Sequence, residues 1–512
     1  MRVLIFHGYL LRGTGSNIYN ASLVRALTDL GHEVHLLCQD RDAGALPFVD
    51  AVGRWEGGRL RVERLRDPVR CTAYLPDIGG VLPVYVADPY EGFEAIRFPD
   101  LTDAELDAYL EANAAAVAEV AALAEPDVAL ANHLLAGPVV LARGLGGRTP
   151  YAVKIHGSAL EYVVRPHPER FLPLAREGLE PAGGILVGSR HTAESLWATL
   201  DDPSVEARTR LGPPGVDVHS FRPRAAREAA AGLRELAGRL GGPVAGWGGE
   251  EGAADALSVL DPERDRIVAY VGKLIVSKGV DLLLAAWPLV VERVPGARLC
   301  VVGFGTYREG LERLAAALGA GDLGDAREVA ARGRELEGGP AGELGRLAAF
   351  LDGLEGEERD RYARAGAAAM GRVTFTGRLE HSDLPDLLPA CEAQVVPSTF
   401  PEAFGMVAVE AAACGALPLS ASHSGLREVT RTFEPVLDPD VARLLSFEPG
   451  PGSVREIAAK LVEWLELPAE RRAAARAALS ELARGRYGWE SVAEGVIAAA
   501  HGRLDELPEP PV

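Results

Sequence analysis

Lysine is almost missing from this 512-residue chain: of 53 basic residues, four are lysine (Lys154, Lys273, Lys278 and Lys460) and the rest arginine. Arginine replaces lysine on most surfaces, so positions that keep a compact ammonium are candidates for work a planar fork would not do. Cysteine is as scarce. Cys38, Cys71, Cys300, Cys391 and Cys414 are odd in number and never spaced as CxxC, which argues against a disulfide framework or zinc ribbon and for a reducing compartment. No stretch of about 18 apolar residues occurs, so no membrane-spanning helix is expected. Residues 1–6 are too short an apolar run for a signal peptide and read as a first buried strand. Excess positive charge is lacking too: 53 basic against 73 acidic residues leave −20, which argues against a dedicated nucleic-acid binder. A cytoplasmic location is the expectation.

What is present is ordinary for a globular protein, 48% hydrophobic and 25% charged. At roughly 100–200 residues per domain, the length predicts two to four domains. The chain opens as strand (3–6), loop (7–16), helix ending at Gly31, and strand (33–38), the start of a doubly wound α/β sheet. Further strands are expected at 128–131, 151–155 and 184–187. The pattern restarts with a strand at 266–271, the loop Gly272 to Gly279, a helix at 280–294, and strands at 297–302, 373–376 and 393–396. The expected organisation is a Rossmann-like domain at 1–212, a Pro/Gly connection near 212–217, and a second Rossmann-like domain at 213–485. Two Ala/Arg/Glu/Gly-rich stretches, about 224–262 and 307–370, read as helical insertions, elaborations without a chemical role. A last helix at 486–506 is expected to cross back to the first domain, and the tail 507–512 to be disordered.

The most informative segment runs from Pro397 to Glu410. It follows a short apolar strand, and in open α/β sheets ligands bind at the strands' carboxyl ends. Phe404 to Val407 is expected to open a helix whose unpaired N–H groups attract an anion. Glu402 and Glu410, eight apart, would lie about two turns apart on roughly one face. Glu402 stands at the mouth; Glu410 sits deeper and could accept two hydrogen bonds from a ribose diol. Two of the four lysines, Lys273 and Lys278, share one glycine-bounded loop, and Lys154 precedes Ile155-His156-Gly157 at the end of a strand.

In Glu402 and Glu410, separated by seven residues, the chain resembles the retaining glycosyltransferases of family 4, which have the two-domain GT-B fold. The resemblance covers most of the chain outside the insertions. It implies that Glu410 binds the nucleotide ribose and that Glu402 faces the donor sugar. Backbone amides of Phe404, Gly405 and Met406, with Val407 beside them, would approach the sugar or pyrophosphate. Lys273 and Lys278 would clamp the diphosphate, with lysine at the first position where the family usually has arginine. His156 would meet the donor sugar, Arg190 after Ser189 would help bind phosphate, and backbone groups of Arg378 and Leu379 would read the base. Gly15, in a loop where Thr14 replaces a family glycine, would let backbone approach phosphate or acceptor; a simple turn is the alternative. In the turn Ser424-Gly425-Leu426-Arg427-Glu428 the first glycine is replaced by Ser424, and a structural role is expected.

The function implied is a metal-independent transfer of a sugar from a nucleoside-diphosphate sugar, UDP favoured over GDP, to an acceptor hydroxyl. His156, Glu402 and Lys278 are the catalytic candidates. No cofactor beyond the nucleotide-sugar co-substrate is expected, since two cations and a helix N-terminus can neutralise the leaving diphosphate. Acceptor candidates are Tyr85, Asp88, Tyr90, Glu91 and Phe93, acid plus aromatic as a carbohydrate, polyol or lipid-linked acceptor would want; an amphipathic loop has the same composition. The run Arg59 to Arg66 reads as a solvated edge strand, with peripheral membrane association as the alternative. A nucleotide-sugar epimerase and a non-catalytic nucleotide-sugar-binding protein are the competing readings. Hydride transfer is disfavoured because GxGxxG with a following acidic residue is absent.

Overall fold

The structure, a computed structural model, describes residues 1–13, 15–86, 92–241 and 252–510. The chain divides into two units, Met1–Gly215 with Tyr487–Val512, and Val216–Arg486. In the first unit the strands are β1 (Arg2–Phe6), β2 (Glu33–Leu37), β3 (Ala51–Glu56), β4 (Arg59–Arg64), β5 (Cys71–Leu75), β6 (Val81–Val84), β7 (Glu94–Arg97), β8 (Val128–Asn132), β9 (Tyr151–Lys154), β10 (Gly184–Val187) and β11 (Thr209–Leu211). Nine of them form one sheet in the order β11-β10-β9-β8-β1-β2-β5-β3-β4, while β6 pairs with β7. Pairing is parallel except between β3 and β4.

β1 shows why the sheet forms. Leu4 and Phe6 enter one buried cluster, and Val3 and Ile5 enter another on the opposite face. A strand buried on both faces needs the continuous apolar run that this sequence supplies. The arginine-rich β4 lies at the sheet edge and is exposed, as a solvated edge strand should be. All five cysteines are buried and unbridged.

The helix Trp489–Ala500 packs on this same unit, with the Trp489 ring 5.4 Å from that of Tyr19. A Cβ on Gly183 would stand 2.5 Å from the Ala500 carbonyl, so only glycine lets the helix settle there. The tail departs from expectation. Leu507 packs against the core of this unit, and the Leu211 N–H donates to the Pro508 carbonyl at 2.8 Å. Main-chain pairing to the edge strand β11 holds a segment whose proline content suggested disorder.

The second unit has β12 (Arg266–Val271), β13 (Ala297–Val302), β14 (Val373–Gly377), β15 (Ala393–Val396), β16 (Leu417–Ala421) and β17 (Ser446–Phe447), all parallel, in the order β14-β13-β12-β15-β16-β17. The two stretches read as insertions are helical where described: Ala226–Leu240 and Ala253–Ser258, then Arg308–Ala320, Leu323–Arg332, Gly345–Asp352 and Gly356–Met370. The second group is anchored by the Tyr362 hydroxyl, which donates to the Ala285 carbonyl at 2.8 Å. Because the strands are parallel, the loops after β12, β13, β14 and β15 emerge at one sheet edge.

Candidate active site

At that edge of the second unit two loops are joined main chain to main chain. The Thr399 N–H donates to the Ser277 carbonyl at 2.8 Å. Gly279 has φ +66°, and a Cβ there would lie 2.1 Å from the Pro397 carbonyl. The junction therefore needs glycine twice over, for its left-handed backbone and for the close approach. It places Lys278 against Glu402. The Lys278 ammonium donates to Glu402 Oε1, and the Ser398 hydroxyl donates to the same oxygen at 2.6 Å. Burial alone would raise the Glu402 carboxyl, but Lys278 and Ser398 outweigh it and hold it below its ordinary 4.5. Glu402 is thus a carboxylate at neutral pH.

Lys273, half-buried, stands at the other end of the lysine loop; its carbonyl accepts from the Tyr270 hydroxyl at 2.8 Å. The neighbouring Gly303 is pressed so closely that a Cβ would sit 1.9 Å from the Gly272 carbonyl. The insertion expected to be without a role reaches this loop: the Val276 N–H donates to Glu337 Oε2 at 2.7 Å.

The helix expected to open within Phe404 to Val407 begins at Met406 and runs to Ala413, with Gly405 at its N-cap, φ +115°. Its glycine cap has no side chain to bond the first-turn N–H groups, and helix N-termini attract anions. Glu402 precedes the helix, so a shared helical face does not relate the two glutamates. Their arrangement comes from the loop, which is pinned from the far side. The Glu402 N–H donates to Ser424 Oγ at 2.8 Å, and the Gly425 N–H donates to the Glu402 carbonyl at 3.0 Å.

Glu410 is buried on that helix and meets a residue the sequence did not single out: His381 Nε2 lies 2.7 Å from Glu410 Oε1. Burial alone would lower the His381 imidazole, but Glu410, with Asp217 and Glu380, holds it above its ordinary 6.5. Arg378, beside Leu379 in the turn after β14, pairs with Glu380 Oε1 at 2.9 Å and lies over the Phe304 ring at 5.2 Å.

In the first unit His156 belongs to a buried polar network at the carboxyl ends of β1, β8 and β9. Asn132 Nδ2 donates to the Phe6 carbonyl at 3.1 Å, which turns its Oδ1 toward His156 Nε2, 2.8 Å away. Nε2 therefore carries the proton, and Nδ1 is the acceptor of the neutral ring. Burial first, then His133, Lys154 and His7, hold this imidazole well below 6.5, so it is neutral at physiological pH. Lys154 is buried and donates to the Gly212 carbonyl at 2.6 Å.

Arg190 is engaged within its own helix, paired with Glu194 at 2.7 Å and stacked over Trp197 at 5.0 Å. Gly15 opens the helix Gly15–Asp29, and a Cβ there would meet nothing within 4 Å, so packing does not require glycine. Thr14, Asp88, Tyr90 and Glu91 lie outside the described residues. Tyr85 is a buried core residue, its hydroxyl donating to the Leu135 carbonyl at 2.9 Å and its ring stacked on Phe98. Phe93 lies under the Arg41 guanidinium at 4.6 Å.

Sequence reasoning thus missed His381, Ser398, Asn132 and His423. Ser398 stood inside the glutamate motif, and His423 beside the substituted glycine. Nothing near His381 marked it, because its partner is 29 residues away.

Two family models match: glycosyl transferases group 1 over residues 257–323 and 347–481, and a glycosyl transferase 4-like domain over 14–206. A D-inositol 3-phosphate glycosyltransferase of Kribbella flavida is 27% identical over 500 residues, 95% of this chain and 90% of that protein. The enzyme of the same name from Segniliparus rotundus is 28% identical over 297 residues, 57% of this chain, and the match spans 46% of its length. Among solved structures, sucrose-phosphate synthase from Thermosynechococcus elongatus superposes with TM-score 0.58 at 21% identity, covering 99% of each chain. Anabaena Alr3699/HepE in complex with UDP-glucose gives 0.55 at 16% identity, covering 99% of this chain and 100% of that one. Those two likenesses show the fold. With both family models matched across the two parallel α/β units, the chain belongs to the family 4 glycosyltransferases and has the GT-B fold.

Proposed function

We propose that the chain transfers a sugar from a UDP-sugar to a hydroxyl of a polyol or carbohydrate acceptor, with retention and without a metal ion. The observation that carries this reading is the Lys278–Glu402 ion pair on two loops stitched together at Gly279 and Thr399. It puts a cation and a carboxylate side by side, the carboxylate on the loop that leads into a helix N-terminus. The departing diphosphate is neutralised by Lys273, Lys278 and the amides of Phe404, Gly405 and Met406, a preorganised field that needs no reorganisation during the reaction. Glu402 orients the sugar and stabilises positive charge as the glycosidic bond opens. The acceptor oxygen attacks from the face the diphosphate leaves, and a phosphate oxygen takes its proton. Glu410, held by His381, receives the ribose hydroxyls, and main-chain groups of Arg378 and Leu379 meet the base. His156 offers Nδ1 as an acceptor to a sugar hydroxyl.

The UDP preference is supported by the structural neighbour solved with UDP-glucose, and the polyol acceptor by relatives named for an inositol phosphate. The test is a thermal-shift panel of UDP, GDP, ADP and their glucose conjugates in EDTA. UDP and UDP-glucose are expected to stabilise the protein, at saturating ligand by about 2–4 kcal/mol. Stabilisation by GDP or ADP instead would change the donor, and stabilisation by none would remove the reading.

A further inference from the structure

Ser424 opens the helix Ser424–Phe433 with φ +48°, a left-handed backbone that serine rarely adopts and in which glycine would carry no strain. Its hydroxyl has two partners. Ser424 Oγ accepts the Glu402 N–H at 2.8 Å and lies 2.9 Å from His423 Nδ1. On the other side of that ring, His423 Nε2 is 2.7 Å from the Ser398 carbonyl. A carbonyl only accepts, so Nε2 bears the proton; in the neutral ring Nδ1 then accepts the Ser424 O–H, which leaves Ser424 Oγ to accept from Glu402. The circuit closes on itself, because Ser398 also donates its hydroxyl to the Glu402 carboxylate at 2.6 Å. The next residue completes the clamp. The Gly425 N–H donates to the Glu402 carbonyl at 3.0 Å, and a Cβ on Gly425 would lie 2.6 Å from Phe404 Cα. Both main-chain polar groups of Glu402 are therefore held by the N-terminus of the helix Ser424–Phe433, while its carboxylate is aimed by Lys278 and Ser398.

We propose that His423 and Ser424 are positioning residues for Glu402: the strained serine supplies an acceptor that glycine could not, and the histidine fixes that hydroxyl's direction. The proposal deepens, and rests on, the reading of Glu402 as the carboxylate facing the donor sugar. Backbone strain is kept where a functional constraint offsets it, and here the offset is the hydrogen bond to the Glu402 amide.

The two roles for Ser424 predict opposite results for Ser424→Gly. Glycine relieves the left-handed strain, so a purely structural serine would give an equal or higher Tm with unchanged turnover. A positioning serine gives an equal or higher Tm together with a kcat about tenfold lower, and a KM for the donor within about twofold, since one hydrogen bond that fixes the Glu402 main chain is lost. The experiment measures UDP-glucose turnover and Tm for wild type, Ser424→Gly, Ser424→Ala, His423→Phe and Glu402→Gln. Ser424→Ala and His423→Phe are expected to lower kcat in the same sense. Wild-type kcat in Ser424→Gly, or a loss confined to KM, overturns the positioning role. If Glu402→Gln abolishes turnover while Ser424→Gly keeps the wild-type kcat, the positioning proposal alone falls. If Glu402→Gln itself turns over like wild type, the reading of Glu402 falls with it.

Discussion

Lys278 and Glu402, 124 residues apart in the chain, meet as an ion pair in which the ammonium and the Ser398 hydroxyl share one carboxylate oxygen. Their attraction outweighs the burial that would otherwise raise the Glu402 carboxyl. A carboxyl held below its ordinary 4.5 adds stability that is present above that pH and is lost as pH falls through its folded value. In Lys278→Met the burial effect is left unopposed by the cation, so acid unfolding is expected to begin at a higher pH. At neutral pH the variant is expected to lose about 1–3 kcal/mol, less than a fully buried pair would, because both side chains keep some solvent contact. Tm measured across the acid range checks this; superimposable wild-type and variant curves would contradict it.

The His381–Glu410 pair gives the opposite pH signature. His381 is held above its ordinary 6.5, so its contribution is full below 6.5 and disappears as pH rises through the folded value. Wild-type Tm is expected to decline over that window more steeply than the Tm of His381→Gln. Parallel curves would mean that the pair carries no linked stability.

Lys154 is a buried ammonium whose pKa is pushed down from 10.5 to about 7 by burial. The unfolded chain keeps that proton up to about 10.5, so stability climbs with pH between 7 and 10.5. Lys154→Met removes the charge that folding must desolvate. It is expected to be more stable than wild type near and below pH 7, with the advantage shrinking as pH rises. Chemical denaturation at a neutral and an alkaline pH decides it, and a variant less stable at both would contradict the account.

Gly279→Ala tests the junction of the two loops. A methyl group would collide with the Pro397 carbonyl and must also occupy φ +66°. The expected cost is about 2–4 kcal/mol of stability. Glycine-like stability in the alanine variant would mean that the loops are not joined as described.

The two sheets were legible because strands buried on both faces need unbroken apolar runs, as at Val3 to Phe6 and Leu299 to Val302. The glutamate motif and the lysine loop were legible because each is contiguous in the chain. Contacts between distant segments were not. His381 finds Glu410, and Glu337 finds Val276, only once the loops fold together, and neither leaves a local signature. The helical face invoked to align Glu402 with Glu410 failed because Glu402 lies in the loop before the helix, which starts at Met406 beyond Gly405 at φ +115°. The tail misled because main-chain pairing of Pro508 with Leu211 does not depend on side-chain pattern. Tyr85 was an acceptor candidate on composition alone, and composition does not show that its ring is buried in the core.

The central claim is that two ammonium groups and the amides of Phe404, Gly405 and Met406 receive the nucleotide's diphosphate. Calorimetric titration of UDP and of uridine, both in EDTA, against wild type, Lys273→Ala and Lys278→Ala tests it most directly. Each substitution is expected to weaken UDP about tenfold or more while changing uridine by less than about twofold. UDP affinity unchanged in both variants would contradict the account.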